Sequence, residues 1–189
     1  AVKHLEVEAE EINWNHSVVL RSNSTSEWRS ALFRYSDAPK NGPRTPVHLR
    51  LFLEPADGKL FWTQLLFIRR LRHPNIATVK GYLYTTEHVA LITESSSKGT
   101  LRQLLDSKQA SGLPLQTVLA LAKDIAEGLI YLQSQGIKYP ILTSSNVVVQ
   151  DTDVYGNPIP LTALLSDLGD THVNWQDNDL PQPSATTPT

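Results

Sequence analysis

The segment from Leu115 to Gln135 constrains this chain more than any other. Val118, Leu119, Leu121, Ala122, Ile125, Ala126, Leu129, Ile130 and Leu132 recur at helical spacing and cover most of the circumference. A helix that is apolar nearly all round is buried on more than one side. Gly136 is placed to end it. Behind it comes Gly136-Ile-Lys-Tyr-Pro-Ile-Leu-Thr-Ser-Ser-Asn146. Two strand-like runs follow, joined by the turn Tyr155-Gly-Asn-Pro158, and then Ser166-Asp167-Leu168-Gly169.

Upstream the pattern is mostly strands. Residues 1–15 are acidic and mixed, with Glu6, Glu8, Glu10 and Glu11, and read as a solvated lead-in. Val18–Leu20 and the run containing Trp28, Ala31 and Phe33 predict two strands joined by the polar stretch 22–27. Residues 36–46 form a loop by composition. Val47–Leu53 predicts a third strand. Leu60, Phe61, Leu65, Ile68 and Leu71 predict a helix over 58–72, and 76–84 and 88–92 predict two more strands. Ser95–Gly99 reads as a flexible connector and Leu101–Ser107 as a short helix. The tail 174–189, rich in Pro, Thr, Asp and Asn, reads as disordered.

Composition removes several classes of chemistry. The 189 residues include no cysteine, which excludes disulfides, thiolate catalysis and Cys-ligated zinc. Net charge is −2, so neither nucleic acid nor an anionic membrane is the expected partner. The histidines at 4, 16, 48, 73, 88 and 172 have no metal-ligand spacing. There is no G-x-S-x-G elbow and no Walker A loop. No run is long enough to span a bilayer. The absence of methionine reads as an excised piece of a longer protein.

The order of these motifs resembles the protein kinase family, nearest to its tyrosine-kinase and tyrosine-kinase-like groups. The likeness is carried by Leu71-Arg-His-Pro-Asn-Ile76, Leu91-Ile-Thr-Glu-Ser95, Gly99-Thr-Leu-Arg102, Asp124–Leu132, Asn146 and Asp167-Leu-Gly169. It covers about residues 16–170 and stops inside what would be the activation segment. It implies an α+β, protein kinase-like two-lobed fold: a five-stranded antiparallel N-lobe with one helix, plus a partial helical C-lobe. The implied divisions are a lead-in at 1–15, the N-lobe at 16–94, the partial C-lobe at 95–173 and the tail at 174–189.

Under that resemblance, the chemical positions are altered. The segment Tyr139–Asn146 matches H-R-D-L-x-x-x-N, with Ile141 where the base stands, Pro140 at the arginine and Thr143 at the lysine. Isoleucine has no lone pair to take a hydroxyl proton. The phosphate-loop glycines fall on Arg21, Asn23 and Ser26, whose side chains would crowd phosphates. The strand lysine falls on Arg50 and its helix partner on Gln64. Arg50, Glu94, Asn146 and Asp167 would form a vestigial nucleotide site, with Asn146 and Asp167 as the magnesium positions. Trp28 and His48 stand where the family has small residues and would fill the adenine space. The apolar column joining the lobes would be Ile68, Leu83, Tyr139 and Leu168.

The resemblance therefore implies a catalytically inactive, pseudokinase-type module that acts as a scaffold or allosteric regulator in signalling. Its expected partners are proteins, such as an active kinase or a receptor complex, and its expected compartment is the cytoplasm, including the intracellular part of a receptor. No tightly held cofactor is expected. One alternative is a regulatory domain that holds ATP and magnesium weakly. Another is an active kinase with a base rerouted to Asp151, Asp153 or Asp170.

Overall fold

Five strands of the first half pair into one antiparallel sheet in the order β1-β2-β3-β5-β4. They are β1 (Ile12–Ser22), β2 (Ser26–Phe33), β3 (Thr45–Phe52), β4 (Val79–Tyr84) and β5 (Val89–Glu94). The computed structural model describes residues 5–24, 26–34, 44–53, 58–107, 112–139, 141–153, 156–168 and 172–173. The expectation for 174–189 lies outside the described residues.

Alternation along the strands gives the sheet two unlike faces. Val47, Leu49 and Leu51 of β3 join Ala31, Phe33, Ala90 and Ile92 in one core cluster. Helix α1 (Gly58–Ile68) packs through Phe61, Leu65 and Ile68 into a second. Phe61 and Trp62 make edge contacts with Tyr82 of β4, at 6.2 and 5.1 Å between ring centroids.

The reading of residues 1–15 as a solvated lead-in is corrected over the described part. Val7 and Ile12 are buried, and Val7 N–H donates to the Tyr82 carbonyl at 2.9 Å. The alternating glutamates stay at the surface while the apolar residues between them cover the outer edge of β4. Gly81 permits this approach, because a Cβ there would meet the Val7 side chain at 2.6 Å. The loop expected over 36–46 also ends sooner, since Thr45 and Pro46 pair with Phe33 and Leu32.

The second half contains α2 (Leu101–Asp106), α3 (Leu115–Ser134), the hairpin of β7 (Val147–Thr152) and β8 (Pro158–Leu165), and a two-residue pairing of β6 (Ile137–Lys138) with β9 (His172–Val173). Thr100 caps α2 in a capping box with Gln103. Gly136 follows α3 with φ of +73°, the left-handed conformation that favours glycine.

Helix α3 is buried along one face only. Leu121, Gly128 and Leu132 are buried against the β7–β8 hairpin, while Leu115, Val118, Leu119 and Ile130 are exposed. One face is covered and the other open, so periodicity located the helix but not its cover.

The connector 95–99 is pinned rather than loose. Lys98 N–H donates to the Val149 carbonyl at 3.0 Å, and Val149 N–H donates to Gly99 at 2.9 Å. Lys98 Nζ also pairs with Asp151 at 2.8 Å. The halves meet again where Leu165 N–H donates to Asn75 O at 2.8 Å and Ala77 N–H donates to Leu165 O at 2.9 Å. Asn75 Nδ2 donates to Ala163 O at 3.0 Å.

The expected apolar column is partly redrawn. Ile68 and Leu168 lie in one core cluster, with Tyr139 packed against it. Leu83 belongs to the other cluster. A register irregularity between Val79 and Gly81 sets the alternation of β4 so that Tyr82, not Leu83, faces α1.

Candidate functional site

Sheet register sets the first part of the site. Arg21 of β1 is opposite Trp28 of β2, and Trp28 is opposite Arg50 of β3. Residues paired across neighbouring strands share a face, so one indole stands between two guanidinium groups. Arg21 Cζ lies 3.9 Å from the Trp28 ring centroid and Arg50 Cζ lies 5.1 Å from it. Both distances are within reach of cation–π attraction.

The tight turn from Asn23 to Ser26 brings the end of β1 over the second half. Asn23 N–H donates to Ser26 O at 2.9 Å, and Ser26 N–H donates to Asn23 Oδ1 at 2.7 Å. From there Arg21 bridges two residues far along the chain. Its Nη1 donates to Asn146 Oδ1 at 2.8 Å, and its Nη2 donates to Asp167 Oδ2 in an ion pair.

Asp167 is the centre of charge. Its side chain is 7% exposed and its backbone has φ of +57°, a left-handed conformation that aspartate tolerates better than most residues. Its Oδ1 accepts from Trp28 Nε1 at 3.1 Å and from Arg50 Nη1 at 3.2 Å. Arg50 is buried, and its Nε and Nη2 each donate to Ser26 Oγ at 3.2 Å. The Gln64 side chain, named as its expected helix partner, lies outside the described residues.

The loop before β7 is organised by its main chain. Tyr139 Oη donates to Ser166 O at 2.7 Å. Ser166 N–H and Oγ both donate to Asn146 O at 2.9 Å. Asn146 Nδ2 donates to Ile141 O at 3.2 Å, and Asn146 N–H donates to Thr143 O at 3.0 Å. Ile141 is exposed, offering a hydrocarbon side chain where a base would need an oxygen or nitrogen. Thr143 is likewise exposed. Pro140, Gly169 and Asp170 lie outside the described residues.

Two carboxylates named as replacement bases are engaged elsewhere. Asp151 pairs with Lys98 and accepts from Ser97 Oγ at 2.7 Å, and these contacts lower its carboxyl pKa from the ordinary value. A carboxylate so stabilised is a weaker base. Asp153 accepts from Asn157 N–H at 2.8 Å in the β7–β8 turn.

Between the sheet and the hairpin lies a cleft of about 210 Å³, with Ala77, Leu91, Val148 and Leu168 among its lining. Trp28 and His48 were expected to fill this space. Both stand in its lining, where the Trp28 indole N–H donates to Asp167 of the same cleft and His48 Nε2 lies 3.4 Å from Ser95 Oγ. Burial lowers the His48 pKa from its ordinary value of 6.5. Glu94 is absent from the lining. Its Oε1 accepts from Thr78 N–H at 2.7 Å, which turns the carboxylate toward β4.

Of the expected nucleotide-site residues, Arg50, Asn146 and Asp167 are thus gathered in one network and Glu94 is apart from it. Sequence reasoning missed the role of Arg21. The signal was available: a long cation replaces a glycine at the end of a strand that leads toward Asn146 and Asp167.

The family model described as protein tyrosine and serine/threonine kinase matches residues 36–179. A serine/threonine/tyrosine-protein kinase of Arabidopsis thaliana is 37% identical over 111 residues, 57% of this chain and 27% of that protein. The human dual specificity testis-specific protein kinase 1 is 38% identical over 106 residues, 56% of this chain and 16% of that protein. An EPD1-interacting receptor-like cytoplasmic serine/threonine-protein kinase of Nicotiana benthamiana is 31% identical over 142 residues, 68% of this chain and 29% of that protein. The chain spans less than a third of the length of each of these relatives.

Proposed function

The chain belongs to the protein tyrosine and serine/threonine kinase family, and we propose that within it this domain is a non-catalytic module that binds proteins in signalling. The observation that carries the proposal is Arg21 bridging Asn146 and Asp167. These are the two positions on which family members hold magnesium, and a fixed guanidinium engages both. A divalent cation placed there would face that charge at close range. Two unit charges 4 Å apart repel by about 4 kcal/mol at an effective dielectric constant of 20, and a doubly charged ion by twice that. The residues present therefore fit a resident arginine better than magnesium.

The second support is Ile141, which leaves the base position without a proton acceptor. Phosphoryl transfer depends on positioning and charge stabilisation by several groups at once, so losses at the base and the glycines compound with the occupation of Asn146 and Asp167 by Arg21. What the fold retains is shape: a two-lobed body joined through Asn75, Leu165 and the pinned connector.

Such a body acts by surface recognition, as a scaffold or as an allosteric partner of an active kinase or receptor complex. We place it in the cytoplasm, including the intracellular side of a receptor. Among the described residues, no helix is long and apolar enough to cross a membrane. The test is a phosphate-transfer assay with magnesium and ATP on a generic protein substrate. No incorporation above that of Asp167→Ala is expected. Transfer that is lost on Asp167→Ala would overturn the proposal.

A further inference from the structure

The cleft has an apolar floor and a cationic rim. Ala77, Leu91, Val148 and Leu168 supply the floor. Arg21, Arg50 and Arg102 line it with one carboxylate, Asp167. Asp106 pairs with Arg102 at 3.2 Å from outside the lining and Arg102 Nε donates to Ser144 Oγ at 3.0 Å, while Arg21 and Arg102 both keep partly exposed side chains.

The volume limits what can enter. At about 210 Å³ the cleft is below the roughly 300 Å³ at which pockets for larger ligands begin. A nucleotide with its metal would set a divalent cation against the Arg21 guanidinium. A flat ring system bearing a carboxylate suits an apolar lining beside the partly exposed Arg21 and Arg102. Arg21 is placed to meet it, with its side chain 34% exposed. Its guanidinium carries five N–H donors, of which Asn146 and Asp167 take one each. Guanidinium–carboxylate hydrogen bonds are charge-assisted and about twice as strong as neutral ones, which offsets the loss of water by the anion.

We propose that this cleft is a binding site for a small aromatic monoanion, of the aryl carboxylate class, taken up without any divalent cation. Arg21 and Arg102 meet the carboxylate and the ring lies on the floor. The inference rests on the reading of Arg21 as the resident cation. It fails separately from that reading, since phosphate transfer and aryl carboxylate binding are measured independently.

The experiment is calorimetric titration of the chain with 2-naphthoate and with the neutral 2-naphthamide, in EDTA and again in magnesium. The carboxylate is expected to bind with a dissociation constant of about 1 mM or tighter. The amide is expected to bind about tenfold more weakly, with no effect of magnesium on either. Arg21→Gln and Arg102→Gln should each weaken naphthoate by about fivefold more than they weaken naphthamide. Equal binding of the two probes would mean an apolar cavity only and would overturn the proposal. So would magnesium dependence, or no binding of naphthoate. Should Arg21→Gln fail to fold, the probe pair on the unaltered chain and Arg102→Gln still decide it.

Discussion

Arg21 and Asp167, 146 positions apart in the chain, form an ion pair that closes the β1–β2 turn onto the second half of the molecule. The same guanidinium stacks on Trp28, whose indole N–H donates to the other oxygen of Asp167. Strand register supplies the stacking, and the turn at Asn23–Ser26 supplies the reach.

Arg21→Ala should destabilise the fold by about 1–2 kcal/mol, since it removes two charge-assisted hydrogen bonds from a partly exposed donor. Urea unfolding measures it. Arg21→Lys should recover less than half of the loss, because an ammonium cannot bridge both acceptors and stack on the indole. Full recovery by lysine would show that charge alone matters.

His48 makes stability fall in mild acid. Burial lowers its folded pKa below 6.5, so the unfolded chain takes up a proton first as pH drops. The contribution of the neutral imidazole is complete above pH 6.5 and is lost as pH falls from there toward the folded value. Unfolding free energies at pH 7.5 and at pH 5.5 should differ more for the unaltered chain than for His48→Gln. Equal differences would remove His48 as the cause, since the other histidines titrate in both proteins.

Gly128→Ala should destabilise, against the usual helix preference. Alanine in a helix interior is normally favoured over glycine by about 1 kcal/mol. Here the added Cβ would lie 2.9 Å from Asn75 O and 3.0 Å from Leu165 Cδ1. Moving that junction should cost about 1–3 kcal/mol, read as a lower melting temperature.

The two faces of α3 should answer oppositely to substitution. Leu132→Ala opens a cavity in a fully buried site and should cost about 2–5 kcal/mol. Ile130→Glu, on the open face at 65% exposure, should change stability by about 0.5 kcal/mol or less. A large loss for Ile130→Glu would mean that this face is covered in solution.

Elements were legible where period and punctuation agreed. The strands around Trp28 and Val47 and the helix ended by Gly136 were in the sequence because alternation, helical spacing and a left-handed glycine are local properties. Long-range relationships were not. Val7 reads as part of an acidic segment until Gly81 makes room for it beside β4. Leu83 and Tyr82 exchange faces through one irregularity in β4. Trp28 reads as a bulky residue in the cleft, and its hydrogen bond to Asp167 there required the fold. The lost base at Ile141 was visible from identity alone, whereas the arginine that bridges Asn146 and Asp167 required the fold.

The central claim is that Arg21 stands where a metal would stand. It is tested most directly by thermal unfolding in millimolar ATP with and without magnesium. A ligand that binds only the folded form must raise the melting temperature. The account predicts no rise attributable to magnesium. A magnesium-dependent rise in the unaltered chain that disappears in Asp167→Ala would contradict it.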